Sequence, residues 1–185
     1  VVFVLPRLFP ERYAALLDSG TAASYRQYMG PAVERADRII SVSHSTARDL
    51  RDVLGVPPEK IVVVPHGVDP KFRPIPRGQC WPALGRYGVS DRPFVLLMGR
   101  VEHRKNHVGA LKAFELLKAE GLLPDHQVVL CGGRGSGEDG ERQAYELQQL
   151  DVGNDLIRIP YVEPDDLPYL YAAAGFGEST TDLAW

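Results

Sequence analysis

The run from Gly99 to Asn106 contains the residues with the clearest chemical potential, Arg100 and Lys105. It follows a short apolar run typical of a buried strand and precedes an amphipathic stretch typical of a helix. In an open α/β sheet, ligands bind beyond the carboxyl ends of the strands, and a helix N-terminus there favours an anion. Two cations at that point can stabilise a departing diphosphate without a metal, through charge-assisted hydrogen bonds of about 1.5–3 kcal/mol each. The spacing predicts a diphosphate site; the alternative is a solvated basic turn.

Two glycine patterns follow the apolar run 127–131. Gly132 and Gly133 stand directly at its end, where a residue without a side chain lets a ligand approach the backbone closely. Residues 135–140 match the dinucleotide pattern Gly-x-Gly-x-x-Gly, but they begin four residues past Cys131 and carry acidic side chains that would repel a pyrophosphate. We therefore predict ligand approach at the first pair and a mobile surface loop at 135–140.

The histidines and cysteines predict neither hydrolase chemistry nor a metal site. The five histidines have no Gly-x-Ser-x-Gly partner and no metal-ligand spacing, and His107 at a helix start is expected on the surface. Cys80 and Cys131 are too far apart for a zinc site and suggest no disulfide framework, so we expect a cytoplasmic protein. The net charge of −3 indicates no nucleic-acid partner, and the opening run 1–5 is too short to span a membrane.

Six apolar runs predict the strands that position these residues, namely 1–5, 38–42, 61–64, 94–98, 127–131 and 156–159. Runs that are apolar on both faces are typical of parallel sheets. The clearest helix spans 107–120, with Val108, Leu111 and Phe114 on one stripe and Asn106 as its N-cap. The alternation of strands and helices predicts an α/β fold with doubly wound sheets.

Prolines interrupt this alternation between residues 70 and 93, which predicts a junction between two domains. We assign residues 1–74 to a first Rossmann-like domain, 75–92 to a linker and 93–185 to a second Rossmann-like domain. Each half has about three predicted strands, fewer than a complete doubly wound domain usually carries. Because the chain also starts with Val1 rather than Met, we expect both domains to be incomplete and the chain to be truncated at both ends.

The order of several short motifs resembles glycosyltransferase family 4. In this family a strand is followed by Gly-Arg, then by Lys-Asn and then by a helix, and residues 94–117 show the same order. Residues 36–43 and 47–50 resemble the last part of the family's first domain, and 66–69 resemble its domain-crossing turn. Residues 158–162 and 166–174 resemble the loop beside the nucleotide base and the helix after it. The resemblance covers about residues 1 to 174 and implies two Rossmann-like domains of the GT-B type.

This resemblance also implies roles for individual residues. Arg100 and Lys105 would contact the donor diphosphate, which agrees with the interpretation of their spacing. The backbone around Tyr161 and Val162 would border the nucleotide base. The interdomain cleft would be bordered by Gly67 and Asp69.

The implied reaction moves a sugar from a nucleoside diphosphate sugar to a hydroxyl acceptor with retention of configuration. The acceptor would be a saccharide or lipid-linked hydroxyl, and GDP-mannose is the donor that the family suggests. We expect no further cofactor and no metal, and the catalytic residues are not assigned.

Two departures from the family pattern leave alternatives open. The His-Asp pair of the family's first domain is absent near Leu5, and position 185 is Trp where a second Glu would follow Glu178 by seven residues. The alternatives are a nucleotide-binding fragment without turnover, and an epimerase or phosphorylase on the same scaffold. A nicotinamide-dependent oxidoreductase would require a glycine fingerprint at its first strand-to-helix turn, and none stands there.

Overall fold

The computed structural model describes residues 2–5, 19–135, 137–150 and 152–178. These residues form two compact units, and the division falls between Val68 and Asp69. Both units are built on parallel sheets with helices between the strands, which confirms the predicted α/β class.

The first unit contains a three-stranded parallel sheet in the order β1-β2-β3. Its elements are β1 (Val2–Leu5), α1 (Ser19–Arg35), β2 (Arg38–Ser41), α2 (His44–Asp52) and β3 (Ile61–Val63). Helix α2 begins where it does because Ser43 has an extended backbone and its Oγ accepts a hydrogen bond from the Thr46 N–H at 3.1 Å. Ile39 and Leu50 are fully buried between the sheet and its helices.

The second unit contains a four-stranded parallel sheet in the order β6-β5-β4-β7. Its elements are α3 (Trp81–Leu84), β4 (Phe94–Met98), α4 (His107–Ala119), β5 (Gln127–Cys131), α5 (Gly137–Gln148), β6 (Leu156–Ile159), α6 (Leu167–Ala173) and β7 (Phe176–Glu178). The sequence predicts β4, β5 and β6 at these same residues. The strand order reverses between β4 and β7, and such a reversal is the place where doubly wound sheets bind ligands.

Alternate residues along the strands of the second sheet pack into two separate cores. Leu96 and Val129 pack with Leu170 on the face covered by α3 and α6. Leu97 and Leu130 pack with residues of α4 and α5 on the opposite face. Because successive side chains of a strand point to opposite faces, burial on both sides requires the continuous apolar runs seen in the sequence.

The segment 75–92, predicted as a linker, packs against the first of these cores. Cys80 and Leu84 are fully buried there, and Val89 is buried beside them. Pro82 lies in the first turn of α3, where a proline costs no hydrogen bond. Pro76 and Pro82 therefore stand at the starts of short helical turns, and part of the segment is buried in the core of the second unit.

The predicted mobile loop at 135–140 is wrong, because α5 begins at Gly137. A Cβ added to Gly140 would lie 2.2 Å from the carbonyl carbon of Gly135, and one added to Gly135 would lie 2.3 Å from the Val101 carbonyl oxygen. The two glycines therefore allow the first turn of the helix to pack tightly against the preceding chain.

Candidate functional site

Backbone hydrogen bonds continue past the carboxyl ends of three neighbouring strands. The Gly99 N–H donates to the Cys131 carbonyl at 2.8 Å, and the Gly132 N–H donates to the Ile159 carbonyl at 2.9 Å. The turn after β4, the two glycines after β5 and the loop after β6 therefore lie side by side at one edge of the sheet. This edge also contains the point where the strand order reverses.

The turn after β4 places Lys105 beside the end of that strand. Gly99 has a φ of 115°, and a Cβ added to it would lie 3.3 Å from Lys105 Cε. A short 3-10 helix spans His103–Lys105, and Asn106 follows with a left-handed backbone and caps α4 through its Oδ1, which accepts from the Gly109 N–H at 3.2 Å. The predicted N-cap is confirmed. A single helical turn thus separates the strand end from the N-terminus of α4.

Glu102 forms ion pairs with both arginines of this turn. The sequence analysis did not identify this residue. Its Oε1 lies 2.9 Å from Arg100 Nε, and its Oε2 lies 2.7 Å from Arg104 Nη2. The Glu102 side chain is 16% exposed, whereas the Arg100 side chain is 62% exposed. Arg100 is therefore oriented by an ion pair while most of its surface stays accessible. An acidic residue between two arginines was the only signal in the sequence.

His107 is 2% exposed, so its predicted surface position is wrong. Burial lowers the pKa of His107, and a hydrogen bond to the Met98 backbone acts in the opposite direction. Its Nδ1 is buried without a hydrogen-bond partner in the described part of the chain. Burial thus favours the neutral imidazole at the start of α4.

Gly132 and Gly133 differ in what surrounds them. Gly132 has a φ of 142°, and a Cβ there would lie 2.2 Å from the Gly99 carbonyl oxygen, so the close approach at this position is that of the chain's own backbone. A Cβ on Gly133 would meet no atom within 4 Å. Both glycines line a pocket of about 250 Å³ together with Arg134, Leu147 and Arg158. The predicted role of the pair towards a ligand stays a prediction.

The loop after β6 contains one exposed and one buried residue of the predicted base site. Tyr161 is 64% exposed, whereas Val162 is buried in the core beneath α6. Tyr87, which the sequence did not single out, reaches this loop. Its hydroxyl accepts from the Glu163 N–H at 3.1 Å and donates to Asp166 Oδ2 at 2.6 Å.

The predicted cleft residues lie on either side of the boundary between the units. Gly67 belongs to the first unit and Asp69 to the second. Asp69 Oδ1 accepts from the Lys71 N–H at 3.0 Å, so this carboxylate caps its own turn. Their role in a cleft stays a prediction.

The two departures from the family pattern fall largely outside the described residues. Residues 6–18 and 179–185 are not among them, so neither the neighbourhood of the missing His-Asp pair nor position 185 is described. Residues 176–178 form β7, which pairs with β4. Within the described ranges, no group of three or more His, Cys, Asp or Glu side chains could hold a metal ion. No helix in these ranges is long and apolar enough to cross a membrane.

Each unit is an α/β fold built on a parallel sheet, and the second has a reversal of strand order next to a basic turn, an arrangement that fits the GT-B class of glycosyltransferases. The family model described as Glycosyltransferase Family 4 matches residues 5–72, and the one described as Glycosyl transferases group 1 matches residues 87–176. The chain therefore belongs to the family 4 glycosyltransferases.

Relatives of known function agree with this family. The O-antigen chain mannosyltransferase B of Escherichia coli is 30% identical over 144 residues, which cover 77% of this chain and 37% of the relative. The D-inositol 3-phosphate glycosyltransferase of Acidothermus cellulolyticus is 30% identical over 182 residues, which cover 94% of this chain and 40% of the relative. The chain thus spans about 40% of the length of these relatives.

Solved structures share the fold at low sequence identity. HepE of Anabaena, solved in complex with UDP-glucose, superposes with a TM-score of 0.75 at 18% identity and covers 97% of this chain and 46% of its own. The sucrose-phosphate synthase of Thermosynechococcus elongatus superposes with a TM-score of 0.73 at 19% identity, over 99% of this chain and 45% of its own.

Proposed function

We propose that the protein transfers a sugar from a nucleoside diphosphate sugar to a hydroxyl acceptor, with retention of configuration. The turn from Gly99 to Asn106 supports this most strongly. It carries Arg100 and Lys105 at the carboxyl end of β4, where the strand order reverses and a helix follows. These are the conditions under which an α/β sheet binds the phosphates of a nucleotide.

The two cations would act on the leaving group. In the transfer, the bond between the sugar C1 and the β-phosphate oxygen breaks and a bond between C1 and the acceptor oxygen forms. The proton of the acceptor hydroxyl passes to the departing diphosphate or to solvent. The diphosphate leaves with the electron pair of the broken bond and gains negative charge. Fixed cations that meet this charge lower the barrier, because they need no reorganisation during the reaction.

The relatives guide the choice of donor. One is named a mannosyltransferase, and one structural neighbour was solved with UDP-glucose. We therefore propose mannose carried by GDP as the first donor to test and a UDP-sugar as the second. The acceptor is proposed as a saccharide or lipid-linked hydroxyl, and the protein's place of action as the cytoplasm.

Thermal unfolding in the presence of GDP, UDP and ADP tests the donor site. A nucleotide at a hundredfold its Kd stabilises a protein by about 2.7 kcal/mol. We expect one nucleotide to stabilise the chain and Arg100→Ala and Lys105→Ala each to abolish most of the effect. Lys112→Ala is the matched control, because it removes an exposed lysine from α4, the helix that follows the turn. Equal stabilisation of all variants would contradict a diphosphate site at this turn.

Product analysis separates the reaction classes. The protein is incubated with the nucleotide sugar and a panel of hydroxyl acceptors. A glycosylated acceptor plus free nucleoside diphosphate supports the transferase, and a new nucleotide sugar identifies an epimerase. A sugar 1-phosphate formed with inorganic phosphate identifies a phosphorylase. Nucleotide binding without any product would reduce the function of this chain to donor binding.

A further inference from the structure

The loop at residues 160–163 is the first part of the connection from β6 to α6 and is not itself part of a strand or helix. Burial of Val162 anchors its middle in the core. At the end of the loop, the Glu163 carbonyl accepts from the Asp166 N–H at 2.9 Å and so belongs to the turn before α6. The Glu163 N–H has a partner from a segment nearly eighty residues earlier in the chain.

Tyr87 supplies two hydrogen bonds at that end. Its hydroxyl accepts from the Glu163 N–H at 3.1 Å and donates to Asp166 Oδ2 at 2.6 Å. Tyr87 and Asp166 are 79 positions apart in the sequence. One phenol therefore connects the backbone of the loop to the residue that precedes α6.

Asp166, which accepts the hydrogen bond from Tyr87, is itself held in place. It is 4% exposed, and its Oδ2 also pairs with the guanidinium of Arg86. A buried carboxylate needs such partners, and charge-assisted hydrogen bonds are stronger than neutral ones. The hydrogen bond to Asp166 raises the pKa of Tyr87 above its ordinary value of 10.0, because the carboxylate stabilises the protonated phenol that donates to it.

We propose that Tyr87 is a positioning residue for recognition of the nucleotide base. By holding the Glu163 N–H, it fixes the loop in the conformation in which the backbone at Tyr161 and Val162 meets the base. This inference rests on the proposed donor site. It adds a residue that contacts no ligand and belongs to neither the basic turn after β4 nor the loop itself.

Tyr87→Phe tests the proposal, because it removes the hydroxyl and keeps the ring. Titration calorimetry compares the nucleoside diphosphate that binds best with pyrophosphate, which has no base. We expect the Kd for the nucleoside diphosphate to rise about five-fold, the range of a single hydrogen bond, and the Kd for pyrophosphate to stay unchanged. A general loss of structure would instead weaken the binding of both ligands.

Two further variants accompany it. Tyr145→Phe is the matched control, since Tyr145 is exposed on α5 and its variant should bind both ligands as the wild type does. Arg86→Ala removes the exposed partner of Asp166 and leaves the hydrogen bond from Tyr87 to Asp166 in place. It should raise the Kd for the nucleoside diphosphate about two-fold, again without an effect on pyrophosphate.

The outcomes distinguish this inference from the function on which it rests. Unchanged nucleotide affinity in Tyr87→Phe, or an equal loss for both ligands, would overturn the role of Tyr87 and leave the donor site intact. A wild-type chain that binds pyrophosphate no more weakly than any nucleoside diphosphate would overturn base recognition and this inference together.

Discussion

Glu102 both orients and partly neutralises the cation on which the proposed donor site depends. Its carboxylate bridges Arg100 and Arg104. A diphosphate that binds Arg100 therefore competes with a carboxylate already in place. The basic turn carries less net positive charge than a count of its arginines and lysines suggests.

Glu102→Gln should tighten the binding of pyrophosphate. The substitution keeps the size of the side chain and removes the competing charge, so we expect the Kd to fall about two- to five-fold, the energy range of a partly exposed ion pair. Titration calorimetry at low and high salt measures it, and the gain should shrink at high salt because exposed charges are screened.

Glu120→Gln is the control for this change, because Glu120 lies exposed at the opposite end of α4 and loses the same charge. Weaker binding in Glu102→Gln would show that the carboxylate matters more as an orienting partner of Arg100 than as a competitor.

The residues of the proposed site leave a signal in the sequence only where they are neighbours in the chain. Arg100, Lys105 and the Asn106 cap lie within one short run, so their spacing carries the signal. The role of Tyr87 could not be predicted, because its partner Asp166 is brought close only by folding. The burial of His107 was missed for a different reason, because a helix start is more often exposed than covered.

The elements of the second unit are joined by an ion-pair network around Asp155, at the start of β6. Asp155 Oδ2 lies 2.7 Å from Lys118 Nζ, near the end of α4, and Oδ1 lies 2.7 Å from Arg92 Nη2, just before β4. These partners, Lys118 first, lower the pKa of Asp155 below its ordinary value of 3.8. The network therefore ties two strands and a helix together at the end of the sheet opposite the basic turn.

Asp155→Asn should reduce the free energy of unfolding in a pH-dependent way. Because the folded state lowers the pKa, the carboxylate contributes stability above about pH 4 and loses it as the pH falls through the lowered value. We expect a loss of about 1.5–3 kcal/mol at pH 7 that disappears in strongly acidic solution. Urea unfolding of the variant and the wild type across this pH range measures the difference.

Asp125→Asn serves as the comparison, since Asp125 is exposed on the neighbouring loop and its variant should unfold as the wild type does at every pH. A loss that persists unchanged at low pH would show that packing, rather than charge, accounts for the effect of Asp155.

Strands β4 to β6 could be predicted because a strand that is buried on both faces has a continuous apolar run. Helix α4 could be predicted because a helix that is buried on one face has an apolar stripe. The segment at 77–87 was not, because its helical turns are too short to show a period and its prolines suggest a linker. The start of α5 was missed because Gly137 and Gly140 are poor helix formers. Gly140 is favoured there by tight packing, which no local pattern reports.

The two cysteines offer a probe of one of the two units. Both cysteines of the sequence lie in the second unit. Cys80 and Cys131 are buried in the same core, and burial raises the pKa of both thiols. Since the thiolate is the reactive form, neither should react while this core is intact.

Thiol labelling in increasing urea should therefore report the second unit alone. We expect no labelling of the native chain and simultaneous labelling of both thiols when the core of the second unit opens. Circular dichroism, followed in parallel, reports the helices of both units. Rapid reaction of one cysteine under native conditions would contradict the common core.

The separation of the two cores by a single sheet bears on how such a protein can change over evolution. Leu96 and Leu97 are adjacent in the chain but belong to opposite cores. The core beneath α3 and α6 supports the loop proposed to meet the base, whereas the other core supports the helix that follows the basic turn. Substitutions without shared partners act nearly independently. Substitutions in one core would therefore alter the proposed base site while leaving the proposed phosphate site unchanged.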